Sequence, residues 1–404
     1  MTLVGVNHPR SALIRRAAVP FIALLLAIAI SQGLADAPTP GLGDPPTRGP
    51  SDAPTGRPGA SPAAPIAGDY ILLPRAELMS RPTSGPAWTY IVETAEAPWP
   101  SPDFNDQDNQ TDTLALAAAL VFARTGDAAM RTKARDALMA VIPTFDQGRL
   151  GPGLAPLRQT AGWVLVADLI ELEGKDDEAF RAFLERVLTD PTGTHTRWNH
   201  VVAAHDDAAN NWGAWAGAAR IAASLYLGRD LADSARTVRG FLGDRGSWAE
   251  FYGQKEPLSQ EISSWACAPS RRGFLPVNGP CTKGGVDLDG AVPADVSRGS
   301  DGPTSPPSST GIMYMHETLA GYLLQAELLY RNGYPDIYEF RSQALRRMAD
   351  FISRSEAAGG PGWNPGRVQY HVPWVLNRRY GTSYPTVPAE YGRSFGFTDW
   401  LYGR

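Results

Sequence analysis

Apolar residues recur at helical spacing along most of the chain from Tyr70 onward. They fall three and four positions apart, so in each segment they line one face of an α-helix. The helices predicted in this way cover residues 111–124, 128–141, 157–172, 176–188, 212–227, 231–242, 316–332 and 335–355. Gly126, Gly174, Gly228 and Gly333 follow helical runs at positions where a left-handed residue commonly ends a helix.

The turns between these helices are short and contain Gly and Asp, which indicates antiparallel helix hairpins. The helix–turn–helix unit returns at a spacing of roughly 40 residues. We therefore predict an all-α fold, an incomplete α/α toroid of stacked hairpins, with a plain helical bundle as the second choice. Strand patterns are scarce. Residues 367–376 could pair locally, but Pro373 would restrict them to a sheet edge or an irregular segment.

Residues 243–311 interrupt the helical pattern with a long stretch rich in Gly, Pro, Ser and Asp. A compact domain seldom carries so long an irregular connection without a use for it, so we expect it to wall a substrate cleft. The two cysteines of the chain, Cys267 and Cys281, lie in this region. In an exported protein such a pair predicts a disulfide that closes one loop, and two free thiols are the alternative.

The N-terminal segment has the features of a signal peptide. Arginines at 10, 15 and 16 precede an apolar run over residues 17–30, and small residues lead up to Ala35. We predict a signal peptide over residues 1–35, a Pro/Gly-rich linker over 36–67 and one folded domain over 68–404. The expected location is secreted or periplasmic, and the alternative is an uncleaved segment that tethers the protein to the membrane.

Composition narrows the functional class. Of the 404 residues 43% are hydrophobic and 20% charged, which is enough apolar material for a large core. The net charge is −5 and no basic excess exists, so nucleic acid is not an expected partner. His200 and His205 are five positions apart and share no helix face cleanly, so we predict no metal site and no cofactor.

The first candidate cluster is Asn210-Asn211-Trp212-Gly213-Ala214-Trp215, which opens an apolar helix. One Asn suffices to cap a helix, which leaves Asn211 at an N-terminus where anions are favoured. We predict Asn211 as catalytic and Asn210 as substrate-binding. Trp212 and Trp215 could stack on a sugar ring, although tryptophans at helical spacing are more often core residues.

The second cluster lies about a hundred residues later. It comprises Asp289-Gly290-Ala291-Val292-Pro293, then Arg298-Gly299 and Tyr314-Met315-His316-Glu317. A guanidinium suits a bidentate grip on a carboxylate, and a phenol or imidazole can move a proton beside it. We predict Arg298, Tyr314 and His316 as catalytic. Arg197, in a nearby loop, is a candidate for substrate binding. A surface ion pair for Arg298 and a buried hydroxyl for Tyr314 are the structural alternatives.

Together these sequence motifs resemble those of the alginate lyase family, whose relatives are toroidal polysaccharide lyases of the chondroitin AC type. The resemblance rests on the Asn-Asn opening, the Asp-Gly…Arg-Gly…Tyr-x-His series, and a helix carrying Gln325-Ala326-Glu327 that ends at Asn332-Gly333. Phrases at residues 80–88 and 125–127 are also similar to the family. The likeness spans about residues 70 to 355.

The resemblance implies an α/α toroid and β-elimination, in which an Asn, a His and an Arg neutralise a carboxylate and a Tyr relays the proton. Asn211 matches the amide, Arg298 the guanidinium and Tyr314 the phenol. Trp212 stands where the family usually has His, and residues 301–310 form a longer, Pro-rich insertion. The imidazole is therefore unassigned, with His205 and His316 as its candidates.

The sequence thus predicts an exported lyase that cleaves an acidic, uronate-containing polysaccharide. Hydrogen bonds and positive charge on the uronate carboxylate would stabilise the enolate that forms when the C5 proton leaves. Two alternatives belong to other classes. One is a toroidal glycoside hydrolase that uses Asp287 or Asp289 with Glu317. The other is a glycan-binding envelope protein without catalytic activity.

Overall fold

The computed structural model describes residues 69–145, 154–191, 200–244, 259–267, 276–360, 371–386 and 394–403. The chain divides into the units Met1–Gly59 and Ala60–Arg404, and every described residue belongs to the second. The predicted signal peptide, the linker and Arg197 lie outside the described residues.

The described part of the chain is mostly α-helical, which confirms the all-α prediction at this level. The helices are α1 Arg75–Ser80, α2 Pro86–Glu96, α3 Thr111–Thr125, α4 Ala128–Val141, α5 Leu154–Leu169, α6 Gly174–Thr189, α7 Val201–Asp207, α8 Asn211–Tyr226, α9 Ala232–Phe241, α10 Gln260–Trp265, α11 Pro293–Val296, α12 Ser309–Arg331, α13 Phe340–Ala357, α14 His371–Tyr380 and α15 Thr398–Tyr402. Two short strands, β1 Thr282–Lys283 and β2 Val286–Asp287, pair antiparallel. No helix among the described residues is both long and apolar enough to cross a bilayer.

Helix ends follow local signals in the sequence. Gly126 ends α3 in the left-handed conformation, at φ 78°. The next residue, Asp127, caps α4 by accepting hydrogen bonds from the N–H groups of Ala129 and Met130. Such pairs of stop and start signals make short turns, and they explain why the helix pattern was predictable from sequence.

Helices α8 and α12 run parallel and in close contact. Ala214 of α8 lies against Gly321 of α12, where an added Cβ would come within 2.7 Å of the Ala214 carbonyl carbon. One turn further along α8, Gly217 lies against Gln325 of α12. Both contacts advance in the same direction along the two helices, so their N-termini lie at the same end.

Helices α3 and α5 extend this parallel series. Arg158, near the start of α5, contacts Glu317 near the start of α12, and Gly162 of α5 lies against Asp112 at the start of α3. The intervening α4 and α6 run the opposite way. Arg131 at the start of α4 donates to the Ile170 carbonyl just after the end of α5. Tyr226 at the end of α8 likewise donates to Asp177 at the start of α6.

The C-terminal helices pack onto both ends of this series. The Trp400 indole N–H of α15 donates to the Pro82 carbonyl at 2.8 Å, and its ring lies 5.3 Å from that of Trp88 in α2. Buried Glu327 of α12 accepts hydrogen bonds from Arg379 of α14 and the Tyr402 hydroxyl of α15. The last helices therefore join α12 to the first helices of the domain.

The prediction of local strand pairing over residues 367–376 was wrong for the part that the structure describes. Residues 371–376 belong to α14. Pro373 is the third residue of that helix, within the first turn, where backbone N–H groups have no partner inside the helix. The proline that argued for an edge strand therefore fits a helix start equally well.

The region 243–311 is irregular in its described part, apart from α10, α11 and the β1–β2 ribbon. Cys267 and Cys281 form the predicted disulfide, with their Cα atoms 5.9 Å apart. Helix α12 begins at Ser309, capped by Ser308, and not at residue 316 as predicted. Tyr314, which the prediction placed before the helix, consequently lies inside it, and His316 lies about two turns beyond its start.

Candidate functional site

The two polar clusters of the sequence meet at Asp295, a fully buried residue of α11. Its carboxylate accepts a hydrogen bond from the Thr318 hydroxyl of α12 and lies within reach of the backbone N–H of Asn211 at the start of α8. The Arg298 Nε atom is 3.5 Å from Asp295 Oδ1. Asp295 therefore connects Asn211 to Arg298 across about ninety residues of sequence.

Arg298 is held on two sides. Its guanidinium carbon lies 4.0 Å from the centroid of the Tyr314 ring, and its Nε edge faces Asp295. The side chain is 35% exposed. Among the described residues, no other carboxylate lies within ion-pair distance, and no acceptor is bonded to the two Nη nitrogens. The Nη edge is thus the part of this guanidinium that remains open to a ligand.

Of the two asparagines at the start of α8, Asn210, which we predicted as substrate-binding, is buried and serves as the helix cap. The Asn210 side chain accepts a hydrogen bond from the Trp212 N–H at 3.0 Å and caps the helix. Asn211 is 1% exposed, and its side-chain Oδ1 has no hydrogen-bond partner among the described residues. Rotation of the amide by half a turn would put its NH₂ group where Oδ1 now lies. This rotation breaks no hydrogen bond at Oδ1, because Oδ1 has none within the described ranges.

The two tryptophans of the first cluster differ in exposure. Trp215 is fully buried, and its indole N–H donates to Glu317 Oε2 at 2.9 Å. No face of this ring is open to a sugar, so the predicted stacking role of Trp215 is corrected to a core role. Trp212 is partly exposed at the start of α8 and keeps its candidacy for substrate binding.

The two candidate imidazoles are both buried. His205 of α7 is 2% exposed, lies 3.4 Å from an Arg220 nitrogen and also interacts with the Gln325 side chain. Gln325 is seven residues beyond Thr318 on α12, which is about 10 Å along the helix axis. The described contacts of His205 are with Arg220 and Gln325, and neither residue is among the groups that act on Asp295. His316 is 3% exposed and precedes Glu317 on α12.

Burial also determines the protonation of these groups. Burial, followed by the charge of Arg220, holds the pKa of His205 well below its usual value, so this imidazole is neutral at neutral pH. Burial raises the pKa of Asp295 to about 7, and the negative charge of Glu317 adds to this effect. The charge of Arg298 and the hydrogen bonds from Thr318 and Asn211 act in the opposite direction.

Asp287 and Asp289 serve the turn between the ribbon and α11. Asp287 Oδ1 accepts the Asp289 N–H at 3.0 Å, the short-range bond expected of Asp in a turn. Asp289 forms an ion pair with Arg347 of α13 and Asp287 one with Arg354. Glu317, the proposed hydrolase partner, is instead engaged in the interior by Trp215 and Arg158.

Gly290 explains why glycine follows Asp289 in the motif. Its φ is +80°, and an added Cβ would overlap the backbone of Arg347 in α13. Any larger residue would push this turn away from α13.

A separate cavity of about 700 Å³ lies at the opposite end of the parallel helices. It is lined by residues at or just beyond the C-terminal ends of α5, α8 and α12, including Asp168, Tyr226 and Asn332. Its charged groups pair with each other, as Arg75 does with Glu171 and Arg181 with Asp177. The cavity is therefore remote from the Asp295 cluster along the helix axes.

Sequence reasoning missed the contributions of Asp295 and Glu317. Asp295 stands three residues before Arg298, a spacing that places oppositely charged side chains side by side on a helix. That spacing was the available signal. The bond between Glu317 and Trp215 had no sequence signal, because the two residues lie 102 positions apart.

Within the described ranges no group of three or more His, Cys, Asp or Glu side chains has the proximity needed to hold a metal ion. The sequence matches none of the family models with which it was compared, and none of the curated proteins either.

Proposed function

We propose that this protein is a polysaccharide lyase that cleaves an acidic, uronate-containing polymer by β-elimination. The observation that carries the proposal is the Arg298 guanidinium, fixed by Asp295 and Tyr314 with its Nη edge open. An open guanidinium edge matches the two oxygens of a carboxylate in a bidentate contact. Uronates are the sugars that carry such a group next to the bond that breaks.

The reaction needs three things from the protein. A base removes the C5 proton, the electron pair forms a C4–C5 double bond, and the C4–O glycosidic bond breaks as its oxygen takes up a proton. Arg298 stabilises the charge that accumulates on the carboxylate, which is usually the largest catalytic contribution in such sites. The Tyr314 hydroxyl, carried by the ring under Arg298, serves as the proton carrier.

Asn211 has a supporting role in this proposal. Its side chain lies at the N-terminus of α8, where helix dipole and backbone N–H groups favour negative charge. Its amide has no partner for Oδ1 among the described residues, and leaving a buried polar atom unbonded costs free energy. Because Asn211 is 1% exposed, a carboxylate bound by Arg298 would reach this amide only after a rearrangement at the start of α8.

Two larger features support the setting. The parallel series α3, α5, α8 and α12, separated by α4 and α6 running the opposite way, is the arrangement of inner and outer helices expected of an α/α toroid. The disulfide between Cys267 and Cys281 is typical of proteins in oxidising compartments, which favours export. We therefore include the toroidal arrangement and the export of the protein in the proposal. Both are consistent with a protein that binds polysaccharide outside the cytoplasm.

The test is a digestion of uronate polymers such as alginate and glucuronan by the full chain. β-Elimination produces a C4–C5 unsaturated uronate at each new end, which absorbs in the ultraviolet. Arg298→Gln should abolish this absorbance. Arg239→Gln is a matched control, because Arg239 is similarly exposed, at 33%, and lies outside the Asp295 cluster. Its guanidinium pairs with Asp336 at 2.8 Å.

Three results would contradict the proposal. New reducing ends without unsaturation would indicate the hydrolase alternative. Oligosaccharide binding without turnover on any polymer would indicate a glycan-binding protein. Equal activity of Arg298→Gln and the wild type would show that the reaction, if present, takes place elsewhere on the molecule.

A further inference from the structure

A carboxyl group with no solvent exposure lies directly beneath the candidate site. Asp295 is 0% exposed and touches three separate parts of the chain. Asp295 contacts the start of α8 through the Asn211 N–H and the first half of α12 through the Thr318 hydroxyl. The third contact is with Arg298, just after α11. A buried charged group costs free energy unless it is well compensated, so stability alone is a poor reason for its presence.

The geometry at Arg298 gives a better reason. Asp295 approaches the guanidinium at Nε, at 3.5 Å, and leaves both Nη nitrogens without an acceptor among the described residues. Tyr314 covers one face of the same guanidinium at 4.0 Å. Together the two contacts, one at Nε and one with the Tyr314 ring, restrict the orientation of the guanidinium. A partly exposed arginine is thereby held in one orientation before any ligand arrives.

We propose that Asp295 is a positioning residue of the lyase reaction, which aims the Nη edge of Arg298 and sets the start of α8 beside it. The inference rests on the proposed function and adds a residue that does not touch the substrate. Its physical basis is preorganisation, because a catalytic group that is misplaced by about 1 Å can lose on the order of 100-fold in rate.

The groups that face Asp295 define what a substitution changes. Arg298 lies just after α11, the helix that carries Asp295. From α12, the charge of Glu317 raises the pKa of Asp295, and the charge of Asp295 raises the pKa of Tyr322. From α8, the backbone N–H of Asn211 acts on the Asp295 carboxylate. Asp295→Asn keeps the size and an oxygen acceptor but removes the negative charge. Because burial raises the pKa of Asp295 to about 7, the fold accepts a neutral side chain here, and we expect this variant to fold.

The experiment is a double-mutant cycle of Asp295→Asn and Arg298→Lys, measured as kcat and KM on the polymer that the wild type cleaves best. We expect Asp295→Asn to lower kcat/KM by about 100-fold. In the Arg298→Lys background, where the planar group is gone, the same substitution should change kcat/KM by about 2-fold or less. Asp168→Asn, a buried carboxyl at the opposite end of the helices, is the matched control and should leave kcat and KM unchanged.

Each outcome decides between the proposals. Suppose the wild type is active and Asp295→Asn lowers kcat/KM by the same factor in the wild type and in Arg298→Lys. Asp295 would then act independently of Arg298, and the inference would be overturned. Unchanged activity of Asp295→Asn would overturn it as well. If the wild type cleaves no uronate polymer, the proposed function fails, and the cycle is then measured on unfolding. Non-additive unfolding free energies would support the Asp295–Arg298 coupling, and additive ones would overturn it.

Discussion

The Arg298 guanidinium lies over the Tyr314 ring, with 4.0 Å between the guanidinium carbon and the ring centroid. The two residues are sixteen positions apart, one after α11 and the other inside α12. The contact uses the ring face and leaves the phenolic hydroxyl at the ring edge. The ring therefore supports the arginine, while the hydroxyl is a separate group, to which the proposed function assigns proton transfer.

Substitutions at Tyr314 should separate these roles. Tyr314→Phe keeps the stacking surface, so we expect KM to change little while kcat falls by about 100-fold or more, the usual contribution of a proton-transfer group. Tyr314→Leu removes the ring as well and should also raise KM, because Arg298 loses its support. Steady-state kinetics on the cleaved polymer measure both effects. Equal kinetic constants for the Phe and Leu variants would contradict the division.

Stability should depend on pH through Asp295. Its pKa is about 7 in the folded protein and 3.8 when exposed, so the folded state binds the proton more tightly. Asp295 therefore stabilises the fold most below about pH 4, and this contribution is lost as the pH rises to about 7, with a size on the order of 4 kcal/mol at most.

Chemical denaturation of the wild type and Asp295→Asn at a series of pH values measures this effect. The variant should gain stability relative to the wild type between pH 4 and 7. Burial also raises the pKa of Asp168 to about 7, so the double variant with Asp168→Asn should lose a further part of the slope. Parallel curves for the wild type and Asp295→Asn would rule out a raised pKa at this site.

The two tryptophans at the start of α8 should respond differently to substitution. Trp215→Phe removes a buried indole donor from Glu317 and leaves a small cavity, which should cost about 2–4 kcal/mol of unfolding free energy. Trp212→Ala should change stability less and weaken the binding of oligosaccharides, because Trp212 is partly exposed beside the candidate site. Denaturation and binding titrations test the pair. Unaltered oligosaccharide affinity in Trp212→Ala would remove Trp212 from the site.

Glu327 should be a principal anchor of the C-terminal helices. It is fully buried and accepts hydrogen bonds from Arg331, Arg379, Tyr338 and Tyr402. Burial alone would raise its pKa, but the hydrogen bond and charge of Arg379 and the charge of Arg331 outweigh this and keep the pKa below its usual value. The site is therefore built for a carboxylate.

Glu327→Gln should consequently cost about 3–5 kcal/mol of unfolding free energy, because it removes the buried counter-charge of Arg379, whereas Arg331 keeps its ion pair with Glu77. The control is Glu171→Gln, whose side chain is 55% exposed and pairs with Arg75 at the surface. That change should cost about 1 kcal/mol or less. Comparable losses in the two variants would contradict an anchoring role.

Sequence patterns predicted the regular helices well where their ends carried local signals. The pair Gly126 and Asp127 is an example, since it ends α3 and caps α4 through contacts within a few residues. The start of α12 was placed seven residues late, because its first three residues, Ser309, Thr310 and Gly311, continue the polar and Pro-rich stretch before them. The strand expected around Pro373 failed for a related reason, since a proline fits both a sheet edge and a first helical turn.

From the sequence, some residues of the candidate site could be predicted, but their spatial arrangement could not. Asn211, Arg298 and Tyr314 were identified from their chemistry and from a family resemblance, and the structure connects them through Asp295. Asn211, Trp215 and His205 all lie in the interior, and of these three only Asn211 acts on Asp295. Residue type cannot tell these cases apart, because the neighbours of a side chain depend on which helices pack on each side.

By itself, the sequence determined the helical class, the boundaries of several long helices, the Cys267–Cys281 pair and the residue types available for binding a carboxylate. These properties depend on contacts within a few turns of chain or on chemistry that each side chain carries alone. Only the tertiary structure decided that α8 and α12 run parallel, that Asp295 lies between Asn211 and Arg298, and that one edge of the guanidinium stays open. Those relationships arise from packing between segments about a hundred residues apart, and no local pattern encodes their direction or distance.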